Sequence, residues 1–212
     1  MGIGAVTRER ILDEAVRLAS RDGLVALTIG TLADALALSK SGLFAHFGSK
    51  EALQLAVIER VGLMYRERAL APAAALPAGP ERLRALLRGM LDWMDASDLP
   101  GGCPISAASF ELDGQAAGPL REAVAAAIQA GLQRNAQAFR ECLPGVGDAE
   151  QAAFELRAIT LGYHVASRLL RDPQARRRAE AAFEALLARG AVGRKGGSPA
   201  KSAPKRKSAR RA

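Results

Sequence analysis

Hydrophobic residues recur every three to four positions through most of the first 190 residues, which is the spacing of amphipathic helices. After Thr28, for example, Ile29, Leu32, Ala33 and Leu36 fall at positions i, i+3, i+4 and i+7. The strict alternation of half-buried strands is missing, and aromatic residues make up only 4% of the chain. The pattern predicts an all-α protein.

Interruptions of this periodicity divide the chain into about nine predicted helices. Thr28, Ser39 and Ser49 each precede one of them and are good N-caps, because their hydroxyl oxygens can accept a bond from a free backbone N–H. The proline-rich stretch 71–80 is the best candidate boundary within the body of the chain. The predicted helices cover about 7–21, 29–36, 40–47, 50–70, 83–94, 104–113, 119–143, 148–170 and a stretch after Pro173.

The charges are unevenly distributed and change the interpretation of the C-terminus. The chain has 30 basic and 22 acidic residues, for a net charge of +8. Segment 191–212 holds eight of the basic residues and no acidic residue, so 22 basic and 22 acidic residues remain before it and their charges cancel. This segment is rich in Gly, Ser, Pro and Ala and lacks apolar periodicity. We therefore predict a disordered basic tail over 191–212.

Several classes of protein are excluded by what the sequence lacks. It has no run of 18 apolar residues and no secretory signal pattern, which favours a cytoplasmic protein without a membrane partner. Cys103 and Cys142 match neither a zinc pattern nor a disulfide framework. His46 and His164 lie outside metal-binding and catalytic motifs, and no phosphate-binding loop or nucleophile elbow occurs. We therefore predict no enzyme activity, no metal and no cofactor.

The stretch from Thr28 to Phe47 carries the strongest functional signal. It predicts two short helices joined by a tight turn, which is the arrangement of a helix-turn-helix unit. An ordinary pair of antiparallel helices is the alternative on spacing alone. The exposed positions of the second helix hold short or cationic side chains, and Gly42 allows a close approach of the backbone. These features suit insertion into a DNA major groove. The exposed residues are Lys40, Ser41, Ala45 and His46.

Four segments in this region resemble the DNA-binding domain of the tetracycline-repressor (TetR) family in order and spacing. They are 7–13, 27–33, 39–47 and 49–53. The resemblance implies a three-helix DNA-binding domain over 1–57, with the helix-turn-helix at about 28–47. It further implies an effector-binding and dimerisation domain over 58–190, built as a helical bundle. Such a regulator binds a palindromic operator in double-stranded DNA as a homodimer and is released by a small-molecule effector.

The resemblance also implies which residues contact DNA. Thr28 and Lys50 are expected to bind phosphates. The expected contact set is completed by Ser39, Lys40, Ser41, Gly42, Phe44, Ala45 and His46. Family members commonly have Tyr where Phe44 stands, and Phe44 lacks the hydroxyl that binds phosphate. Ala45 stands where larger polar residues are frequent, so it can offer a methyl group to thymine but no hydrogen bond.

The second domain is expected to bind the effector and a second copy of the chain. The predicted pocket lies between the fifth to eighth helices and has few charges; ordinary core packing of the same side chains is the alternative. Its predicted residues are Met90, Trp93, Met94, Cys103, Phe110, Phe139 and His164. The eighth helix has two apolar stripes and therefore needs two packing partners. The predicted dimer interface consists of Leu161, Val165, Leu169, Phe183, Leu186 and Leu187.

These features predict a sequence-specific transcriptional regulator, acting as a repressor that an effector releases. One alternative is a non-specific nucleoid-associated protein that binds DNA mainly through the tail 191–212. A helical enzyme with a regulatory N-terminus is a third interpretation. Sequence preference, uniform salt-sensitive binding and metabolite turnover, respectively, would distinguish the three.

Overall fold

A computed structural model describes the backbone of residues 3–192 and the side chains of residues 8–190. These residues form nine helices and no strand, which confirms the prediction of an all-α fold with about nine helices. The helices are α1 (Ile3–Asp22), α2 (Ile29–Leu36), α3 (Lys40–Phe47), α4 (Lys50–Tyr65), α5 (Pro80–Asp95), α6 (Pro104–Glu111), α7 (Pro119–Cys142), α8 (Ala149–His164) and α9 (Ala175–Val192). The predicted tail 191–212 lies outside the described residues, except for the two positions that end α9.

Two of these helices continue beyond their regular part. α4 passes through a π-helical segment, Arg66–Leu70, into a last α-helical turn, Ala71–Ala74. α8 continues through a second π-helical segment, Val165–Leu169. α4 therefore crosses the position between residues 57 and 58 where we predict the domain boundary, and one continuous helix joins the two parts of the chain.

The hydroxyl residues cap the helices that they were predicted to precede. Thr28 Oγ1 accepts a bond from Thr31 N–H at 3.0 Å, and the Thr31 hydroxyl oxygen accepts one from Thr28 N–H, also at 3.0 Å. Ser39 Oγ accepts from Gly42 N–H at 3.1 Å. Ser49 Oγ accepts from the first turn of α4 at 3.0 Å. Each such cap contributes about 1 kcal/mol to helix stability. Because each cap involves only residues within three positions of each other, the sequence alone locates these helix starts.

The three N-terminal helices pack around a small core with the first turns of α4. Ala37 adopts a left-handed conformation (φ 52°) at the end of α2, and this turns the chain into α3 within three residues. The core side chains come from every helix of the group. They include Ile11, Ala15, Val16, Leu32, Leu43, Phe47, Leu53 and Val57.

The remaining helices form a bundle in which α9 packs against α8 and α5. The rings of Phe139 in α7 and Phe183 in α9 lie 6.2 Å apart, and both are buried. Leu186 and Leu187 are also no more than 4% exposed. The prediction that Phe183, Leu186 and Leu187 form a dimer interface is therefore wrong for these side chains, because they fill the core of a single protomer. None of the described helices is long and apolar enough to cross a membrane.

Candidate DNA-binding surface and ligand cavity

The α3 helix separates buried from exposed side chains sharply. Leu43 and Phe47 point into the core. The predicted contact residues of α3 and its N-cap all lie on the solvent side: Ser39, Lys40, Ser41, Gly42, Phe44, Ala45 and His46. Phe44 is 57% exposed, an unusual position for a large apolar ring unless a partner covers it.

The first turn of α3 is closely packed. A Cβ on Gly42 would lie 3.0 Å from Ser39 Oγ, which favours glycine at this position. Ser41 Oγ donates a long bond (3.4 Å) to the same Ser39 oxygen. Thr28 is half-buried, and its hydroxyl is engaged with Thr31 in the cap of α2. Ser41 and the exposed backbone are thus better placed than the Thr28 hydroxyl to meet a ligand.

The surface around α3 is electropositive. Lys40 and Lys50 are exposed, and Asp34 is the single acidic residue between Thr28 and Lys50. The side chain of Lys40 lies beside the start of α2, because a Cβ on Gly30 would be 3.7 Å from Lys40 Nζ.

Arg8 of α1 adds a cation that sequence reasoning missed, since its guanidinium lies 5.5 Å from the centre of the Phe47 ring. A helix end with nearby cations is suited to binding phosphate oxygens.

A cavity of about 300 Å³ lies in the bundle between α4, α5, α6, α7 and α8. Met90, Trp93, Met94 and Cys103 line it, as do many other apolar groups. The other three residues predicted for the pocket do not line it. Phe110 is 67% exposed on the outer side of α6. Phe139 packs against Phe183 in the core.

His164 lies outside the cavity, against the loop that precedes α6. A Cβ on Gly102 would be only 2.6 Å from His164 Cε1. Burial lowers the pKa of His164, and the nearby Arg168 cation lowers it further. The predictions that place Phe110, Phe139 and His164 in the pocket are therefore wrong, because helical periodicity does not tell which buried face meets the cavity.

The charged groups that line the cavity are all positive. Arg66, Arg134 and Arg157 line it, and no Asp or Glu does. The Arg134 guanidinium lies 5.8 Å from the centre of the Tyr65 ring. Arg157 has no carboxylate partner among the described residues, and burial lowers its pKa. Arg66 and Arg134 are exposed, and Arg157 is half-buried.

Besides Arg157, two residues at this cavity have polar atoms without hydrogen-bond partners among the described residues. Trp93 Nε1 and Asn135 Oδ1 are buried and make no hydrogen bond within the described part of the chain. Both residues line the cavity. Most buried polar groups in proteins are paired, so each unpaired one calls for an explanation. Sequence reasoning missed Asn135, Arg134 and Arg157; the one available signal was a basic residue within the otherwise apolar segment 156–159.

The loop before α6 and the end of α6 both contact the N-terminal helices. Ser20 in α1 donates to the Gly102 carbonyl at 2.8 Å and accepts from Gly101 N–H at 2.9 Å. At the end of α6, one Glu111 carboxylate oxygen accepts from Leu24 N–H (3.3 Å) and the other from Val25 N–H (2.9 Å). These bonds connect α6 and the loop before it to the end of α1 and to the loop between α1 and α2.

An apolar stripe remains exposed along α8 and its π-helical continuation. Phe154, Val165 and Leu169 are 62%, 47% and 78% exposed, and Leu161 is half-buried on the same side. No group of His, Cys, Asp and Glu side chains in the described residues could hold a metal ion.

The sequence matches two protein-family models. Residues 11–57 match the family described as "Bacterial regulatory proteins, tetR family". Residues 79–183 match "Tetracyclin repressor-like, C-terminal domain". A comparison with curated proteins finds no match.

Solved structures with the same fold include regulators from two bacteria. A TetR-family transcriptional regulator from Streptomyces coelicolor is 25% identical, with a TM-score of 0.74 over 85% of this chain and 94% of that one. A TetR regulator from Chloroflexus aurantiacus is 27% identical, with a TM-score of 0.73 over 89% and 96%. AibR, in complex with isovaleryl coenzyme A and operator DNA, is 22% identical, with a TM-score of 0.62 over 85% and 96%.

Proposed function

Because the chain belongs to the TetR family of bacterial transcriptional regulators, we propose that it is a sequence-specific repressor that a small molecule releases from its operator. One observation carries the proposal: an exposed, acid-poor recognition surface and a largely apolar cavity are connected through Glu111 and Ser20 in one chain. The structure of AibR, which has a similar fold, contains both a small molecule and operator DNA and lends this proposal support.

In the proposed complex, α3 enters the major groove of the operator. Ser41, Ala45 and His46 face the base edges, and Lys40 and Lys50 bind phosphates. Ser39, Gly42 and Phe44 line the same contact surface. Thr28 contributes through the backbone at the start of α2, since its hydroxyl is engaged in the cap.

The proposed active form is a homodimer that binds a palindromic operator. The exposed stripe of α8 gives each protomer an apolar face for its copy, centred on Leu161, Val165 and Leu169. The outer side of α9 carries small residues, among them Ala181, Ala182 and Ala185, and allows close helix packing. A twofold axis between two such faces sets the spacing of the recognition helices.

Release requires that the effector prefers a conformation in which the recognition helices no longer fit the operator. α6 is the proposed connecting element. Its first turn, with Ile105 and Ser106, lines the cavity, and Glu111 at its other end holds the loop between α1 and α2. A ligand that displaces the start of α6 therefore moves the anchor of that loop.

A non-specific nucleoid-associated protein is the second candidate, and the eight cations of segment 191–212 favour it. Such a tail would bind phosphates without reading bases, and its binding would weaken steeply with salt. The two functions differ in sequence preference, which the tail alone does not provide.

Selection of bound duplexes from a random pool tests the proposal. We expect the full chain to enrich a palindrome with half-sites one helical turn apart, and a variant that ends at Val192 to enrich the same palindrome. Enrichment of no sequence by either protein would contradict the repressor function and favour the second candidate. Loss of all binding in the shortened variant would do the same.

A further inference from the structure

We propose that the cavity binds a small carboxylic acid with an apolar or aromatic body and that Arg157 holds its carboxylate. The inference rests on the proposed function in one respect only, that the cavity is the effector site. It names the chemical class of that effector from the groups that line the cavity.

The apolar part of the ligand follows from the walls. Ile58, Val61, Met90, Met94 and Ile128 line the cavity, and ring edges of Tyr65 and Trp93 add aromatic surface. These two rings lie 5.6 Å apart in an edge-to-face arrangement. A volume of about 300 Å³ is at the lower end of the range for ligand sites, so the ligand is small.

The negative charge of the ligand follows from the arginines. Arg157 is half-buried, whereas Arg66 and Arg134 are exposed. A cation that is partly removed from water is unfavourable without a partner, and no Asp or Glu lines the cavity to pair with Arg157. Arg134 lies against the Tyr65 ring, whereas Arg157 has neither an ion pair nor a side-chain hydrogen bond in the described part of the chain. A carboxylate on the ligand would supply the missing ion-pair partner of Arg157, because a planar guanidinium binds a carboxylate through two parallel hydrogen bonds.

The unpaired polar atoms fit the same ligand. Trp93 Nε1 is a donor without an acceptor, and a carboxylate oxygen supplies one. Tyr65 lies next to Trp93, and Tyr65, Trp93 and Arg157 all line the cavity. Asn135 Oδ1 remains available for a hydroxyl or N–H group on the ligand. A cationic ligand would instead meet the half-buried Arg157 without any carboxylate in the cavity to offset the repulsion.

Pairs of acids and amides of equal shape test the charge directly. The probes are 3-phenylpropionate, hexanoate and octanoate, each compared with its primary amide. Trp93 is the only tryptophan of the chain and lines the cavity, so its fluorescence reports occupancy of the site. We expect at least one acid to bind about tenfold or more tightly than its amide.

Variants of Arg157 test which residue provides the preference. Arg157→Met should bring acid and amide to within about threefold of each other, whereas Arg157→Lys keeps the charge and should keep part of the preference. Arg88→Met is the matched control, since Arg88 is exposed on α5 and does not line the cavity. Circular dichroism verifies that each variant is folded.

Two results would overturn the proposal. One is that no acid of the panel binds more tightly than its amide; the other is that folded Arg157→Met retains the full preference. Operator release, measured separately, distinguishes this failure from failure of the proposed function. Release by amides as well as acids would contradict the carboxylate proposal and leave the repressor function intact. Preferential acid binding without release would support the carboxylate proposal and contradict effector release.

Discussion

The Lys40 side chain connects the recognition helix to the start of α2. Its Cε and Nζ lie 3.7 Å from the position that a Cβ on Gly30 would occupy, so the ammonium group of this α3 residue lies beside the start of α2. Ser41, one position on, is exposed and makes only the long bond to Ser39. Neither side chain contributes to the core, and their value is therefore expected in DNA binding.

Substitution of these two residues tests the surface at its centre. Lys40→Ala and Ser41→Ala should each cost about 1–3 kcal/mol of operator binding, because each removes a contact to a phosphate or base. Thermal unfolding should be unchanged, and Arg88→Ala on α5 should bind like the wild type. Fluorescence anisotropy with a labelled operator measures the affinities. Wild-type affinity in both variants would exclude α3 as the recognition helix.

Single residues were predictable where their role is local. The caps Thr28, Ser39 and Ser49 depend on neighbours within three positions, and sequence alone locates them. Arg157 was not predictable, because whether its side of α8 faces water or a cavity depends on the packing of four other helices. Phe110 illustrates the converse: its apolar character suggested a pocket, and it is exposed.

The short helix α6 contacts both the cavity and the N-terminal helices. Its first turn lines the cavity and its last residue contacts the loop between α1 and α2, although the helix is only eight residues long. The loop that Glu111 holds is also held by Gln54 of α4, whose Nε2 donates to the Leu24 carbonyl at 2.8 Å. The loop is thus fixed from both parts of the chain.

Replacement of Glu111 tests this connection. In Glu111→Gln a single amide oxygen replaces the two carboxylate oxygens that accept the Leu24 and Val25 N–H bonds. Both N–H groups should therefore exchange with deuterium about tenfold faster or more. Operator affinity should fall with it, because the loop positions α2. Asp113→Asn, two residues on and exposed, is the control. Unchanged exchange at both amides would show that the Glu111 carboxylate does not stabilise the loop.

Helix existence was predictable from periodicity, but packing partners were not. Periodicity predicts a dimer interface on the apolar side of α9, but this side packs against α5 and α8 in the same protomer. Periodicity indicates that a face is buried and leaves open which surface covers it. Only α8, with its two apolar stripes, indicates a packing partner outside the protomer, and one of these stripes is exposed in the structure.

For the whole molecule, the central requirement is the distance between two recognition helices. Consecutive major grooves on one side of DNA are about 34–36 Å apart, and one protomer carries one α3. Specific binding of a palindrome therefore requires a second copy. The exposed stripe of α8 is the surface that the proposed function assigns to it, and a monomer in solution would leave three large apolar side chains in water.

Leu169→Glu places a charge at the most exposed point of this stripe and should yield monomers that bind the operator far more weakly, while the fold is retained. Light scattering at micromolar concentration measures the mass. Phe110→Glu, at a similarly exposed ring on α6, should stay dimeric. Phe183→Glu should behave differently from Leu169→Glu, because Phe183 is 1% exposed within the protomer and a buried carboxylate there should unfold it. A wild-type monomer, or a Leu169→Glu dimer with normal operator affinity, would exclude the α8 stripe as the interface.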